Sequence, residues 1–153
     1  MDNFYKDLED GKRGEKLVAA ALTARGHIVT DMSDNLDYRR KDIDLLLENK
    51  QKQITTLEVK NDMRSETTGN LFIETYNVRN QSHSFKGWYF YCEAYYLCFL
   101  QETSKAAHIV AFDDLRQAIA ATNYREVSTA STKGILVPVD ALKAMPSYFL
   151  LEV

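Results

Sequence analysis

The chain has 153 residues, 45% of them hydrophobic and 27% charged, which fits one globular domain able to bury a proper core. Its formal net charge of −3 excludes a protein that binds nucleic acid through bulk positive charge alone. No apolar run approaches the roughly 20 residues of a membrane helix, and the acidic N-terminus does not resemble a signal peptide. We therefore expect one cytoplasmic domain over residues 1–153, with no membrane partner.

The first predicted element is a helix over residues 4–25. Its buried stripe recurs near helical spacing and comprises Leu8, Gly11, Val18 and Leu22. Glu15 falls within this stripe, where a glutamate is costly to bury unless something pairs with it. Two interpretations stay open. Glu15 is a metal-linked carboxylate, or it lies at the border of the stripe and reaches water or pairs with Lys12 or Arg13.

The next two predicted strands carry acids and one lysine, and they cover residues 41–47 and 57–60. Because alternate residues share a face, Asp42 and Asp44 line one side of the first strand. Glu58 and Lys60 likewise share one side of the second strand. If the strands pair, Asp44, Glu58 and Lys60 converge. Neighbouring carboxylates repel each other unless a cation lies between them, and Mg²⁺ or Mn²⁺ prefers such oxygen ligands. The plainer interpretation is a cross-strand ion pair.

A further strand is predicted over residues 70–76, after a polar loop over residues 61–69. Its clean alternation places on one face Asn70, Phe72, Glu74 and Tyr76. Glu74 either orients Lys60, supports a metal ligand from behind, or is an exposed strand glutamate. Just before the acidic strand, the basic run of Arg39, Arg40 and Lys41 is either a phosphate contact or a solvated loop.

The remaining segments predict further strands and helices. In chain order these are a loop leading to a helical turn (84–88), strands at 94–100 and 107–112, a helix at 115–122, a polar loop at 124–133, a strand at 134–138, a helix at 140–144 and a final strand at 148–153. Asp113 or Asp114 is expected to cap the helix at 115–122. Cys92 and Cys98 lie in apolar sequence and are expected to be buried thiols of a reducing compartment.

The order of Glu15 on a helix, Asp44 before an apolar run, and Glu58-Val59-Lys60 on the next strand resembles the PD-(D/E)XK nuclease superfamily. That superfamily includes Holliday-junction resolvases and many restriction endonucleases. The resemblance covers roughly residues 11–100. No proline precedes the aspartate, so Asp42 stays an alternative to Asp44. The resemblance implies a three-layer α/β, restriction-endonuclease-like core, in which a central mixed β-sheet is flanked by helices.

The resemblance also implies an activity, namely metal-dependent endonucleolytic hydrolysis of DNA phosphodiester bonds, including branched or junction DNA. In that case Glu15, Asp44 and Glu58 would hold one or two Mg²⁺ (or Mn²⁺) ions, and Lys60 would assist the attacking water. The alternatives are a nuclease acting on RNA, an exonuclease, or a nucleic-acid-binding module that keeps the fold without cleaving. Cutting two strands together would favour a symmetric homodimer.

Overall fold

A computed structural model describes residues 2–153, with side chains from Tyr5 onward, and has a mixed α/β fold. Its elements in chain order are α1 (Asp2–Ala24), β1 (Ile28–Asp31), α2 (Leu36–Arg40), β2 (Leu45–Glu48), β3 (Ile54–Asn61), α3 (Ser65–Thr68), β4 (Asn70–Asn77), a 3-10 turn (Gln81–His83), α4 (Trp88–Tyr91), β5 (Tyr96–Gln101), β6 (Ala106–Ala111), α5 (Phe112–Ala121), β7 (Glu126–Ser128), β8 (Thr132–Pro138), α6 (Val139–Lys143) and β9 (Phe149–Glu152). Within the described residues, no helix is long and apolar enough to cross a bilayer.

The strands form two sheets. The larger is mixed and has the order β1-β2-β3-β5-β6-β9, in which β3 and β5 are parallel and the other neighbours are antiparallel. The smaller is antiparallel with the order β4-β8-β7. The mixed sheet and the helices agree with the prediction. The separate sheet around β4 was not predicted, because its partner β8 lies some sixty residues further along the chain.

Two hydrophobic cores lie on opposite faces of the large sheet. Residues of α1, β2 and β3 make up one core together with alternate residues of β5, among them Val18, Leu45, Leu57, Cys98 and Leu100. The other core joins the small sheet and α4 to α6, and it includes Leu71, Ile73, Leu97, Phe99 and Phe112. Successive residues of β5 thus enter opposite cores, which explains the almost continuous apolar sequence of that strand. Both cysteines are free and buried, as predicted.

Helix α1 confirms the predicted first helix but not its whole buried stripe. Val18 and Leu22 are buried, whereas Leu8 is 48% exposed and a side chain on Gly11 would meet nothing within 4 Å. The first turns of α1 therefore extend beyond the sheet. The close approach occurs at Gly14 instead, where a Cβ would lie 3.1 Å from Leu100 Cδ2. Residue 4, the predicted start, lies in the helix, but its side chain is outside the described residues.

Two local predictions for the last third are wrong. Helix α5 starts at Phe112, earlier than expected, and its N-cap Ala111 makes no side-chain capping bond. Asp114 instead accepts a hydrogen bond from the Ser147 amide at 3.0 Å, so it ties α5 to the chain before β9. The predicted polar loop at 124–133 also contains a short strand, β7. The closing strand β9 lies at an edge of the large sheet, as expected.

Candidate functional site

Asp44 and Glu58 lie across from each other where β2 begins. Leu45 pairs with Leu57, so the next antiparallel step places Asp44 opposite Glu58. The Asp44 amide donates to Leu57 O at 3.0 Å, and Asp44 Oδ2 accepts from the Val59 amide at 2.9 Å. Backbone pairing thus fixes the Asp44 carboxylate beside β3.

Lys60 connects two acids in the interior of the site. Its Nζ lies 2.9 Å from Glu58 Oε1 and 2.9 Å from Asp42 Oδ2, and 5.0 Å from the centre of the Trp88 ring. Glu58 is only 4% exposed, and its Oε2 has no hydrogen-bond partner. A buried carboxylate oxygen without a partner is costly. The cluster of Asp42, Glu58 and Lys60 therefore has one carboxylate oxygen that a hydrogen-bond donor or a bound cation would stabilise.

Asp42 does not continue the strand alternation that the sequence predicted. Strand β2 begins only at Leu45, and Asp42 has a positive φ of 55°. After this kink Ile43 packs into the core of the small sheet, while Leu45 packs into the α1 core. Asp42 is turned toward Lys60, whereas Asp44 contacts the other acids. The two aspartates, which the sequence left as alternatives, have different neighbours.

Three carboxyl groups form a chain through Asp44. Asp44 lies close enough to Glu15 and to Glu58 that its charge raises the pKa of both carboxyl groups. Burial raises the pKa of Asp44, and burial together with the charges of Asp42 and Asp44 raises the pKa of Glu58 well above its usual value. Crowded carboxylates can all be ionised only if a cation joins them.

Glu15 is half-buried and faces the sheet. Burial and then the charges of Asp44 and Asp31 raise its pKa to about 7. The alternative pairing with Arg13 is not formed, since Arg13 binds Glu102 and Asp10 instead. Glu15 therefore belongs to the chain of carboxyl groups rather than to a surface ion pair.

Lys60 is protonated in this arrangement. Burial alone lowers its pKa, but the carboxylates of Glu58 and Asp42 outweigh that effect and hold the pKa well above the usual value. An ammonium group can orient a water molecule or neutralise developing charge, but it has no lone pair with which to accept a proton. A protonated Lys60 could therefore assist an attacking water by orienting it or by neutralising charge, but not by accepting its proton.

Glu74 lies near Lys60 without bonding to it. Burial raises its pKa, and the rise is opposed by a hydrogen bond that its carboxylate accepts from Asn77 Nδ2 and by the charge of Lys60. Within the described residues, Lys60 forms ion pairs with Asp42 and Glu58 alone. Glu74 is therefore neither an exposed strand residue nor a direct orienting partner.

Two clefts lie beside these side chains, and residues from the first part of α1 line both of them. One, of about 450 Å³, is lined by Glu15, Asp42, Asp44 and Arg39 among others. The second, of about 470 Å³, is lined by residues that include Lys60, Asn61, Arg64, Phe72 and Trp88. Of the predicted basic run, Arg39 lines a cleft, while Arg40 and Lys41 are exposed beside it. Glu15, Asp42 and Asp44 are thus reachable from one cleft and Lys60 from the other, while Glu58 lines neither.

Some residues of the site carry no strong signal in the sequence. Trp88 covers Lys60 but is 28 positions away from it, so only the fold brings them together. Asp62 accepts hydrogen bonds from the amides of Ser65 and Phe72, and so orders the predicted polar loop into the short helix α3. An Asp three residues before a Ser-Glu pair is the local signal for this turn.

The donor set fits a hard divalent ion, although the side chains do not yet surround one point. Among the described residues, no three His, Cys, Asp or Glu side chains are arranged to hold a metal ion together. The lysine ammonium lies between Asp42 and Glu58, each 2.9 Å from its Nζ. The buried, unpartnered Glu58 Oε2 and the adjacent Asp44 carboxylate nevertheless offer the oxygen ligands that Mg²⁺ prefers.

Comparisons with known proteins do not assign this chain to a family. No family model matches the chain, and no curated protein or solved structure matches it either.

Proposed function

We propose that this protein is a metal-dependent nuclease that hydrolyses DNA phosphodiester bonds in the cytoplasm, with a restriction-endonuclease-like core of the PD-(D/E)XK type. One observation carries the proposal. Glu15, Asp44, Glu58 and Lys60, which come from three separate elements, meet at one end of the large sheet. Three neighbouring acids with raised pKa values beside one partly buried cation are costly to keep, and such clusters concentrate at functional sites.

Asp44 and Glu58 would hold Mg²⁺ or Mn²⁺, with Glu15 bound to Asp44 from behind or joining the ligands. When bound, the metal ion would polarise the phosphoryl group and make a water molecule more acidic. Asp44 is fixed by the Val59 amide, so it presents its other oxygen in a constant position. A rigid carboxylate is favourable because it is not reorganised when a ligand arrives.

Lys60 would stabilise negative charge on the phosphate that is being cleaved. Its Nζ already binds Glu58 Oε1, so it lies next to the same carboxylate that would hold the metal ion. The Trp88 ring at 5.0 Å limits its contact with water. A fixed positive charge in a partly desolvated site stabilises a developing anion more than it would in bulk water.

Arg39 offers a contact for the nucleic-acid backbone on one side of the site and Arg64 on the other. Both are exposed, and each lines one of the two clefts. The net charge of −3 implies that such contacts are few, so we propose weak, salt-sensitive binding. RNA cleavage and exonuclease action are variants of the same chemistry.

The ammonium between Asp42 and Glu58 favours one different candidate, a nucleic-acid-binding module that does not cleave. In that case the lysine would stand permanently where a metal ion is required, and no divalent ion would bind. Metal binding therefore separates the two candidates, because a ligand that binds only the folded state raises its melting temperature.

The test measures melting curves with and without Mn²⁺ or Mg²⁺, beside cleavage of nicked, branched, single-stranded and duplex DNA and of single-stranded RNA. The nuclease proposal expects a metal-dependent rise in melting temperature and metal-dependent products from at least one substrate. A gel-filtration run with light scattering, on the same sample, tests for the homodimer that paired strand cleavage would require. The absence of both metal stabilisation and cleavage would contradict the proposal and favour the binding module.

A further inference from the structure

The end of β4 and the turn after it expose two aromatic rings on one surface. Tyr76 is 37% exposed and Phe85 is 43% exposed, and their ring centroids lie 6.5 Å apart. The backbone holds them together, because the Asn77 amide donates to Phe85 O at 2.9 Å and Tyr76 forms a β-bridge with Lys86. Neighbouring rings thus face the solvent from a fixed support.

The turn that carries Phe85 is strained. Ser84 and Phe85 are consecutive residues with positive φ angles of 56° and 64°, a conformation that is uncommon for a bulky side chain. Hydrogen bonds hold the turn in place, from the Phe85 amide to Asn80 O at 2.8 Å and from Asn80 Nδ2 to Lys86 O at 3.0 Å. Strain that a fold retains points to a function for the side chain it presents.

Unpaired cations surround the rings. Lys133 Nζ lies 5.4 Å from the centre of the Tyr76 ring, and Arg79 and Lys86 are exposed on the same turn. Among the described residues, none of these three cations takes part in an ion pair. Their charges are therefore available to an anionic partner, although the protein as a whole is acidic.

The strand that carries Tyr76 also carries residues near the cleft that contains Lys60. Phe72, on the same strand, lines that cleft, and Glu74 lies in the electric field of Lys60. A β-bulge between Glu74 and Tyr76 shifts the register, so Glu74 pairs with Gly134 and Tyr76 pairs with Lys133. Contrary to the predicted alternation, Tyr76 therefore lies on the opposite face of the small sheet from Phe72 and Glu74. Asn77 joins the two regions, since its side chain donates to Glu74 and its amide to Phe85 O. A flexible strand bound at the rings would pass around this end of β4 to reach the acids.

We propose that a stacking surface, made of Tyr76, Arg79, Phe85, Lys86 and Lys133, binds single-stranded nucleic acid. Unpaired bases stack on the two rings, and the cations bind the phosphates between them. Duplex DNA hides the faces of its bases, so it cannot use the rings in this way, whereas every unpaired base offers a π-face. The inference rests on the proposed function for its consequence: the substrate has a single-stranded segment beside the bond to be cut.

The test measures binding by fluorescence anisotropy in EDTA, so that no cleavage occurs. The probes are labelled oligo(dT), labelled oligo(U) and a matched DNA duplex. Phe85→Ala should weaken binding of the single strands about 5- to 150-fold, the scale of one lost stacking contact, and leave duplex binding unchanged. Comparison of oligo(dT) with oligo(U) shows whether the surface distinguishes DNA from RNA.

Two further variants separate binding from folding. Phe149→Ala is the matched control, because Phe149 is 42% exposed but lies on the edge strand β9, and it should bind all probes as the wild type does. Phe85→Gly removes the ring and relieves the positive φ, so it should keep the wild-type melting temperature while binding single strands as weakly as Phe85→Ala.

Each outcome bears on the inference. Equal affinity of wild type and Phe85→Ala for single strands, or tighter binding of the duplex than of either single strand, would overturn it. Weakened single-strand binding in a protein that cleaves nothing would support the stacking surface and contradict the nuclease. Metal-dependent cleavage together with unaffected binding by Phe85→Ala would leave the nuclease standing and reject the surface.

Discussion

Two clusters in this protein each join one cation to two carboxylates, and their environments differ. Arg13 binds Glu102 at 2.6 Å and Asp10 at 2.9 Å, and half of the Arg13 side chain is exposed. Lys60 binds Glu58 and Asp42, each at 2.9 Å, and the Lys60 side chain is 24% exposed, about half the exposed fraction of Arg13. The first cluster joins α1 to the turn after β5. Beside the second cluster lie two further acids, Asp44 and Glu15.

The two clusters differ in their exposure to solvent and in the number of acids near the cation. The Arg13 cluster lies at the surface, where solvent screens its charges, so the pairing contributes little. The Lys60 cluster has two more acids nearby, Asp44 and Glu15, and a carboxylate oxygen without a hydrogen-bond partner. Four acids around one cation are not an optimal arrangement for stability. They are, however, an arrangement that an additional divalent cation would complete.

Lys60→Ala should have the largest effect, because it removes the cation from the buried cluster. We expect cleavage to fall at least about 100-fold, the scale of one lost electrostatic or acid-base group. We also expect the free energy of unfolding at neutral pH to fall by about 3 kcal/mol, because Glu58 and Asp42 lose their partner. Urea denaturation and a cleavage assay measure the two effects. Lys50→Ala, at an exposed site in the β2–β3 turn, serves as the control. Near-normal cleavage would remove Lys60 from the mechanism.

Glu58→Gln should abolish metal binding with little loss of stability. The amide has the shape of the carboxylate without its buried negative charge, and Lys60 keeps Asp42 as its partner. The metal-induced rise in melting temperature should disappear, and cleavage should fall about 100-fold or more. Glu102→Gln makes the same chemical change in the exposed cluster and should keep both properties. A full metal-induced rise in the Glu58 variant would contradict its role as a ligand.

Glu15→Gln should change the pH dependence of stability. The pKa of Glu15 rises from 4.5 to about 7 on folding, so between these pH values the folded state holds a proton that the unfolded state has released. Its contribution to stability is therefore greatest below about pH 4.5 and decreases as the pH rises to about 7. The glutamine variant cannot ionise, so metal-free stability should decrease less over this range and be equal or higher at pH 8.

The same variant should also reduce cleavage by about 10- to 100-fold, the usual effect of removing a group that orients a ligand. Thermal melts from pH 4 to pH 8 without metal, together with cleavage assays at pH 8, measure both effects. An unchanged pH profile would show that Glu15 is not held in the carboxyl chain. Unchanged cleavage with an unchanged metal-induced shift would remove it from the site.

The sequence predicted those features that depend on local periodicity. Helix α1 follows from helical spacing, and the meeting of Glu58 and Lys60 follows from strand alternation, since each needs only neighbouring residues. The location of Asp44 opposite Glu58 needed one further assumption, that consecutive strands pair, which is usual for strands joined by a short turn.

The features that escaped prediction depend on contacts between distant segments or on single backbone angles. The kink at Asp42 breaks the alternation through one positive φ, which an Asp permits but does not require. The pairing of β4 with β8 and the position of Trp88 over Lys60 join segments that carry no mutual signal. Leu8 has the correct helical spacing but lies beyond the end of the sheet, so it has nothing to pack against.

Arg13→Ala should have the smallest effect, and it tests the comparison most directly. The substitution removes three hydrogen bonds, two to Glu102 and one to Asp10, but both acids regain contact with water. We therefore expect a slightly lower melting temperature, with a difference from wild type that shrinks as salt is added, because salt screens exposed charges. Metal-dependent cleavage at fixed salt should stay at the wild-type level, since Arg13 contacts none of the clustered acids. A loss of cleavage comparable to that of Lys60→Ala would show that burial is not what distinguishes the two clusters.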